Sequence, residues 1–170
     1  MNEAPDPALR IVQTDYDHAK GVAYNLVLLV WRRRTMPDAY RAAMVLATEH
    51  ARKHPKGIGV MQLVEVDAVP PDAEARKAFT EFMKWPGVAH FSVTHEGSGF
   101  KAASVRAIVM GVTALSRPSF PHAVHNSVSE AANWAASQNR NIGAVSDARA
   151  IERAVQSLRR LHQQDYPPVP

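Results

Sequence analysis

The chain has no cysteine among its 170 residues. That absence excludes disulfides, thiolate nucleophiles and cysteine-bound zinc, and it permits a reducing compartment. Long apolar runs are missing too. The longest, Val22 to Trp31, is interrupted by Asn25 and falls well short of the roughly 20 residues a helix needs to cross a bilayer. The opening Met1-Asn-Glu-Ala-Pro-Asp-Pro7 is acidic and proline-rich, whereas a secretory signal begins with basic residues and then an apolar segment. These readings predict a cytoplasmic protein that spans no membrane.

One-sided charge is also lacking. Twenty basic residues stand against 16 acidic ones, for a net charge of +4, and the one dense basic cluster is Arg32-Arg33-Arg34. Aromatic residues make up 7% of the chain and do not alternate with basic ones, so neither a duplex-binding face nor a single-strand stacking platform is expected. With 46% hydrophobic residues and this length, one domain-sized core is predicted.

What is present alternates regularly. A short strand at 10–14 leads through Asp15–Gly21 into a Val- and Leu-rich strand at 22–31, and the two form a hairpin. Thr35, Pro37 and Asp38 open a helix that Pro55 and Gly57 end. A nearly all-apolar strand at 58–66 follows, broken only by Gln62 and Glu65, as suits a strand covered on both faces. Pro70-Pro71-Asp72 starts a helix to about Lys84, then come a strand at 88–94, a helix at 100–115 and a short strand at 123–125. Ser127-Val-Ser-Glu130 is a capping box opening the next helix. A last helix, capped by Ser146 or Asp147, carries Ile151, Val155, Leu158 and Leu161 as a narrow apolar stripe.

The pattern predicts an α/β fold: a five-stranded, mostly parallel sheet with an antiparallel first strand, helices packed on it and an extra C-terminal helix. The expected division is a flexible segment at 1–9, the α/β domain at 10–138, and a C-terminal helix with a proline-rich tail at 139–170. Trp31, Met44, Phe79, Phe82, Phe100, Met110 and Trp134 fall at core-facing spacings.

The order of elements resembles the STAS domain, the fold of bacterial anti-sigma-factor antagonists, over about residues 10–138. The stretches that carry the likeness are the strand "IGVMQLVEVD" (58–67), the turn and helix "GSGFKAASVRAIVMG" (97–111), and "FPHAVHNSVSEAANWA" (120–135). The resemblance implies a STAS-like sandwich that works by binding other proteins. The family's antagonists are switched by a serine phosphorylated in the loop after the third strand; here that loop, Asp67-Ala-Val-Pro-Pro-Asp72, contains no hydroxyl. What the resemblance implies is therefore a non-catalytic protein-interaction module, regulatory or scaffolding, with another protein as partner.

Parallel strands bring their carboxyl ends to one rim, which is where open α/β sheets bind ligands. That rim is predicted to display Arg32, Arg33 and Arg34, the Gly97-Ser98-Gly99 turn, and Ser127 at a helix start. Together they read either as a site for a small phosphate- or carboxylate-bearing ligand or as ordinary turns with solvated arginines. The string Gly-x-Gly-x-x-Ala follows the fourth strand rather than the first, so it is no dinucleotide fingerprint. His50 and His54 have zinc-like spacing but no third ligand. Ser98 has no nucleophile elbow, and no acid is placed to orient His95 or His125, so neither catalysis nor a cofactor is expected. For partner binding, the candidates are Trp85 beside the Pro86-Gly87 break and the stripe Ile151, Val155 and Leu158, through which a homodimer is also conceivable.

Overall fold

The computed structural model describes residues 6–167. Its elements are β1 (Arg10–Thr14), β2 (His18–Ala23), β3 (Leu26–Trp31), α1 (Pro37–Ala51), β4 (Ile58–Val64), α2 (Ala73–Met83), β5 (Val88–Thr94), α3 (Gly99–Ser116), β6 (His122–His125), α4 (Val128–Asn141) and α5 (Ala148–Asp165). One sheet takes its strands in chain order, β1-β2-β3-β4-β5-β6. The class is α/β. Among the described residues, no helix is long and apolar enough to cross a membrane.

The sheet has six strands rather than five. The run expected as one strand from Val22 to Trp31 folds back at Tyr24-Asn25, so that Ala23 pairs with Leu26 and His18 with Trp31. Tyr24 makes the turn with φ of 56°, in the left-handed region. Asn25 anchors it by donating from Nδ2 to Asn139 Oδ1 at 2.9 Å. This moves the odd strand. β2 is antiparallel to both β1 and β3, while β3–β6 pair in parallel, so β1 runs with the rest and β2 alone runs against them.

Three successive crossovers between neighbouring parallel strands have one hand, so α1, α2 and α3 all fall on the same face. There Ala43, Leu46, Phe79, Phe82, Val109 and Val112 pack on Leu29, Val60 and Phe91. The opposite face would lie bare without α4 and α5. These bury Ala131, Ala135, Ile151, Ala154 and Leu158 on Leu26, Leu28, Met61 and Leu63. The C-terminal helix is thus half of the second layer and not an appendage to a domain ending at Gln138.

The N-terminal segment is likewise tied down as far as it is described. Asp6 is buried, takes the Ser157 hydroxyl as partner for its backbone N–H at 3.1 Å, and lies 3.6 Å from Arg153. Its Oδ1 also accepts the Ala8 N–H at 2.9 Å. Asp6, in the segment expected to be flexible at 1–9, thus contacts α5, and residues 1–5, like the end of the proline-rich tail at 168–170, lie outside the described residues.

Candidate ligand pocket and docking face

The carboxyl ends of β3 to β6 do meet at one rim, but the predicted anion residues are used separately there. The arginine run braces the β1–β2 turn. Arg33 stacks 3.5 Å from the Tyr16 ring centre and donates to Tyr16 O at 2.6 Å. Arg34 reaches Asp17 at 3.4 Å, and the backbone N–H groups of Arg32 and Arg33 donate to Asp17 O. The glycine turn has other duties. Gly99 begins α3 with φ of 69°, where a side chain would be strained, and Ser98 makes no side-chain cap. A β-carbon on Gly97 would sit 2.5 Å from His95 Nε2, so this glycine leaves room for the imidazole.

At the start of α4 the negative group favoured by the helix dipole is already supplied by the protein. Ser127 Oγ accepts the Glu130 N–H at 3.1 Å, and Glu96 Oε1 accepts the Val128 N–H at 3.2 Å. Glu96 Oε2 in turn accepts from Arg159 Nη1 at 2.8 Å. Arg159 also grips Glu65 with two bonds, from Nε at 2.7 Å and from Nη2 at 2.6 Å. One guanidinium thus joins α5 to the ends of β4 and β5. Replacing Arg159 with methionine strands the nearly buried Glu65 carboxylate, and the expected loss is about 2–3 kcal/mol, less than for a fully buried pair because water reaches the site. Chemical denaturation checks it: a loss under 0.5 kcal/mol, the range of an ordinary surface change, contradicts this role.

The predicted partner-binding residues turn inward. Ile151 and Leu158 are 0% exposed and Val155 is 5%, all against the sheet and α4, so the stripe on α5 is spent on the chain's own core. Trp85 is half-buried against the other core layer, its ring so close over Gly87 that a β-carbon there would lie 2.2 Å away. His50 Nε2 donates to Tyr24 O at 2.9 Å, and among the described residues no group of three or more His, Asp or Glu could hold a metal ion.

Two features were not predicted. Beneath the first turns of α3 lies a cavity of about 290 Å³, walled by Trp31, Tyr40, Phe79, Val93, Val105 and Ile108, with the 68–71 loop across its mouth. Gln62 and His95 also line it. Gln62 Oε1 accepts from Trp31 Nε1 at 2.7 Å and from the Tyr40 hydroxyl at 3.1 Å. Because the indole N–H can only donate, that bond fixes which end of the amide is oxygen.

The second feature is the outer face of α3. Phe100 is 86% exposed, Met110 69% and Leu115 74%, which corrects the expectation that Phe100 and Met110 belong to the core. Only Val109, Val112 and Ser116 of this helix are buried, its one extensively packed neighbour being the flank of α2. Between Phe100 and Leu115 run Ala103, Ala107 and Gly111, all exposed, and nothing stands within 4 Å of where a Gly111 side chain would go. Beside them an open groove separates α3 from α2, lined on the α2 side by Arg76, Lys77, Thr80, Glu81 and Lys84.

Compared with family models, with curated proteins and with solved structures, the chain matches none.

Proposed function

We propose that the chain is a non-catalytic, cytoplasmic protein-interaction module with a regulatory or scaffolding role, and that it docks an acidic amphipathic helix of another protein on its α2–α3 face. The observation that carries this reading is the exposure of Phe100, Met110 and Leu115 around a shallow track of small residues. Large apolar side chains set beside a groove are the usual makings of a helix-in-groove contact, in which anchors at i, i+3 or i+4 and i+7 enter the groove. The resemblance of the sequence to the STAS domain implies a partner of the same kind, although the sheet has six strands rather than the five expected.

Charge selects the occupant. Arg76, Lys77 and Lys84 line the groove against Glu81 alone, and α3 carries no acidic residue. A helix with Asp and Glu flanking its apolar stripe gains from this field, whereas a second copy of the chain would set two basic faces together. A small anion at the rim is the weaker reading, because Arg33 and Arg34 are held by Tyr16 and Asp17 and the α4 N-terminus by Glu96.

Selection of helical peptides from an unbiased display library against the intact chain tests the proposal. Enriched peptides should carry acidic residues beside the apolar stripe and lose at least about 30-fold in affinity toward Met110→Glu, as for a central interface anchor. Met110 is 69% exposed, so the variant should keep its stability within about 0.5 kcal/mol. Peptides without acidic enrichment, or binding Met110→Glu as tightly, overturn it.

A further inference from the structure

The cavity under the first turns of α3 adjoins the docking groove, with Ile108 lining both, and carries an inference of its own. Its walls are apolar, yet two side chains lining it each keep a polar atom without a partner. Gln62 is 2% exposed and its Nε2 is bonded to no group; His95 is 4% exposed and its Nε2 is equally unpaired. Buried polar atoms in folded proteins are nearly always paired, and leaving two unpaired in residues that line one apolar cavity is costly unless something completes them; neither atom itself has surface open to the cavity, so a ligand meets them by turning the two side chains toward it.

The chemistry of the two atoms is set by their neighbours. Gln62 Oε1 is taken by Trp31 Nε1 and Tyr40, so the open end is an amide N–H donor. His95 Nδ1 lies 3.0 Å from Val64 O, which only accepts; Nδ1 therefore carries the hydrogen, and in that tautomer Nε2 is an acceptor. Gln62 pairs with Val93 across β4 and β5, and His95 lies two residues further on the same face. Strand spacing and rise place the two α-carbons about 8 Å apart.

We infer that this cavity binds a small, neutral, ring-containing molecule carrying both a hydrogen-bond acceptor, for Gln62 Nε2, and a hydroxyl or N–H donor, for His95 Nε2. Its size fits that class. At about 290 Å³ it is roughly twice the ~150 Å³ of an engineered cavity that takes up benzene, room for one substituted ring or two fused ones. The mouth lies between the 68–71 loop and Phe100, Lys101 and Ser104 at the start of α3.

The test uses three ring compounds on the intact chain, followed by NMR. 4-Hydroxyacetophenone supplies both groups, p-cresol only the donor, and 4-methylacetophenone only the acceptor. The first should bind with submillimolar affinity and shift the Gln62 side-chain amide and the His95 ring signals. The other two should each bind about tenfold more weakly, one hydrogen bond being missing. Ser104→Phe, which plugs the cavity near its mouth, should abolish binding; if that variant does not fold, Ala68→Phe serves the same purpose from the loop. Met110→Glu, on the outer face, should leave binding of the ketone unchanged. Equal affinity for all three compounds, absence of shifts at Gln62 and His95, or undiminished binding in a folded plugged variant overturns the inference.

Discussion

Lowering the pH from 7 to about 4.5 should remove at least about 2 kcal/mol from the folding free energy, before most carboxylates are neutralised. The cause is the set of buried histidines. Burial, reinforced by the neighbouring His54 ring, holds His50 well below its ordinary value, down to about 4. His90 is fully buried, and burial lowers it against the help of its Asn139 bond. His162 is lowered by burial and then by Arg32 and Arg33, with the Asp15 carbonyl opposing. His18 is lowered by burial although Asp15 partly offsets it.

For each, the folded pKa lies below the unfolded value of about 6.5, so on acidification the unfolded chain takes up protons first. Stability is complete above about pH 6.5, falls as the pH drops, and levels out only below the folded pKa, near 4 for His50. At about 1.4 kcal/mol per unit, His50 contributes about 2 kcal/mol after allowance for its partly wet surroundings, and the other three act in the same direction. Guanidinium unfolding at about pH 7, 5.5 and 4.5 reads this directly. Equal midpoints at the two extremes would contradict it.

Replacing Asn139 with leucine should cost about 4 kcal/mol. Asn139 is 0% exposed and joins four segments. Its Oδ1 accepts from Asn25 Nδ2 at 2.9 Å and pairs with His90 Nε2 at 2.8 Å, while its Nδ2 donates to Asn25 Oδ1 at 2.9 Å and to Val145 O at 2.7 Å. One amide thereby fixes the β2–β3 turn, the middle of β5, helix α4 and the connection to α5. Leucine has the same branched shape and is bulkier, so no cavity is left and the loss comes from stranded partners, with some crowding added. Asn25, His90 and Val145 O would each be left open in a dry site at about 1–3 kcal/mol apiece. In a chain of this size that is a fall in Tm of about 8–16 °C. A fall below about 3 °C would show that the three partners find water or each other.

The parallel half of the fold is legible in the sequence because each of its signals is local. Asp72 caps α2 through the Ala75 N–H, Ser127 caps α4 through Glu130, and Asp147 caps α5, all residues whose short polar side chains announce a helix start. The β2–β3 hairpin is not legible in the same way. Its turn is made by Tyr24, a residue with no turn preference, and by Asn25, whose partner Asn139 lies 114 residues away. The α5 stripe reads correctly as an apolar face, but which surface it covers follows from the handedness of three crossovers, which leaves one sheet face for it to fill. Helix α3 defeats periodicity because its apolar residues are spread around the helix instead of forming one stripe, so Phe100 and Met110 look like core residues until its neighbours are known. Gln62 in an apolar strand is the one trace of the cavity in the sequence, and its meaning depends on Trp31 and Tyr40 arriving from elsewhere.

The most direct test of the account is to titrate an acidic helical peptide, selected against the intact chain, into isotopically labelled protein and map the backbone amide shifts. The account predicts changes centred on Ala103, Ala107, Met110 and Gly111 of α3 and on Lys77 and Lys84 beside the groove, with binding that weakens as salt is raised. Shifts centred instead on Arg32–Arg34 and the Gly97–Gly99 turn, or on the outward side of α5, with α3 silent, would contradict it.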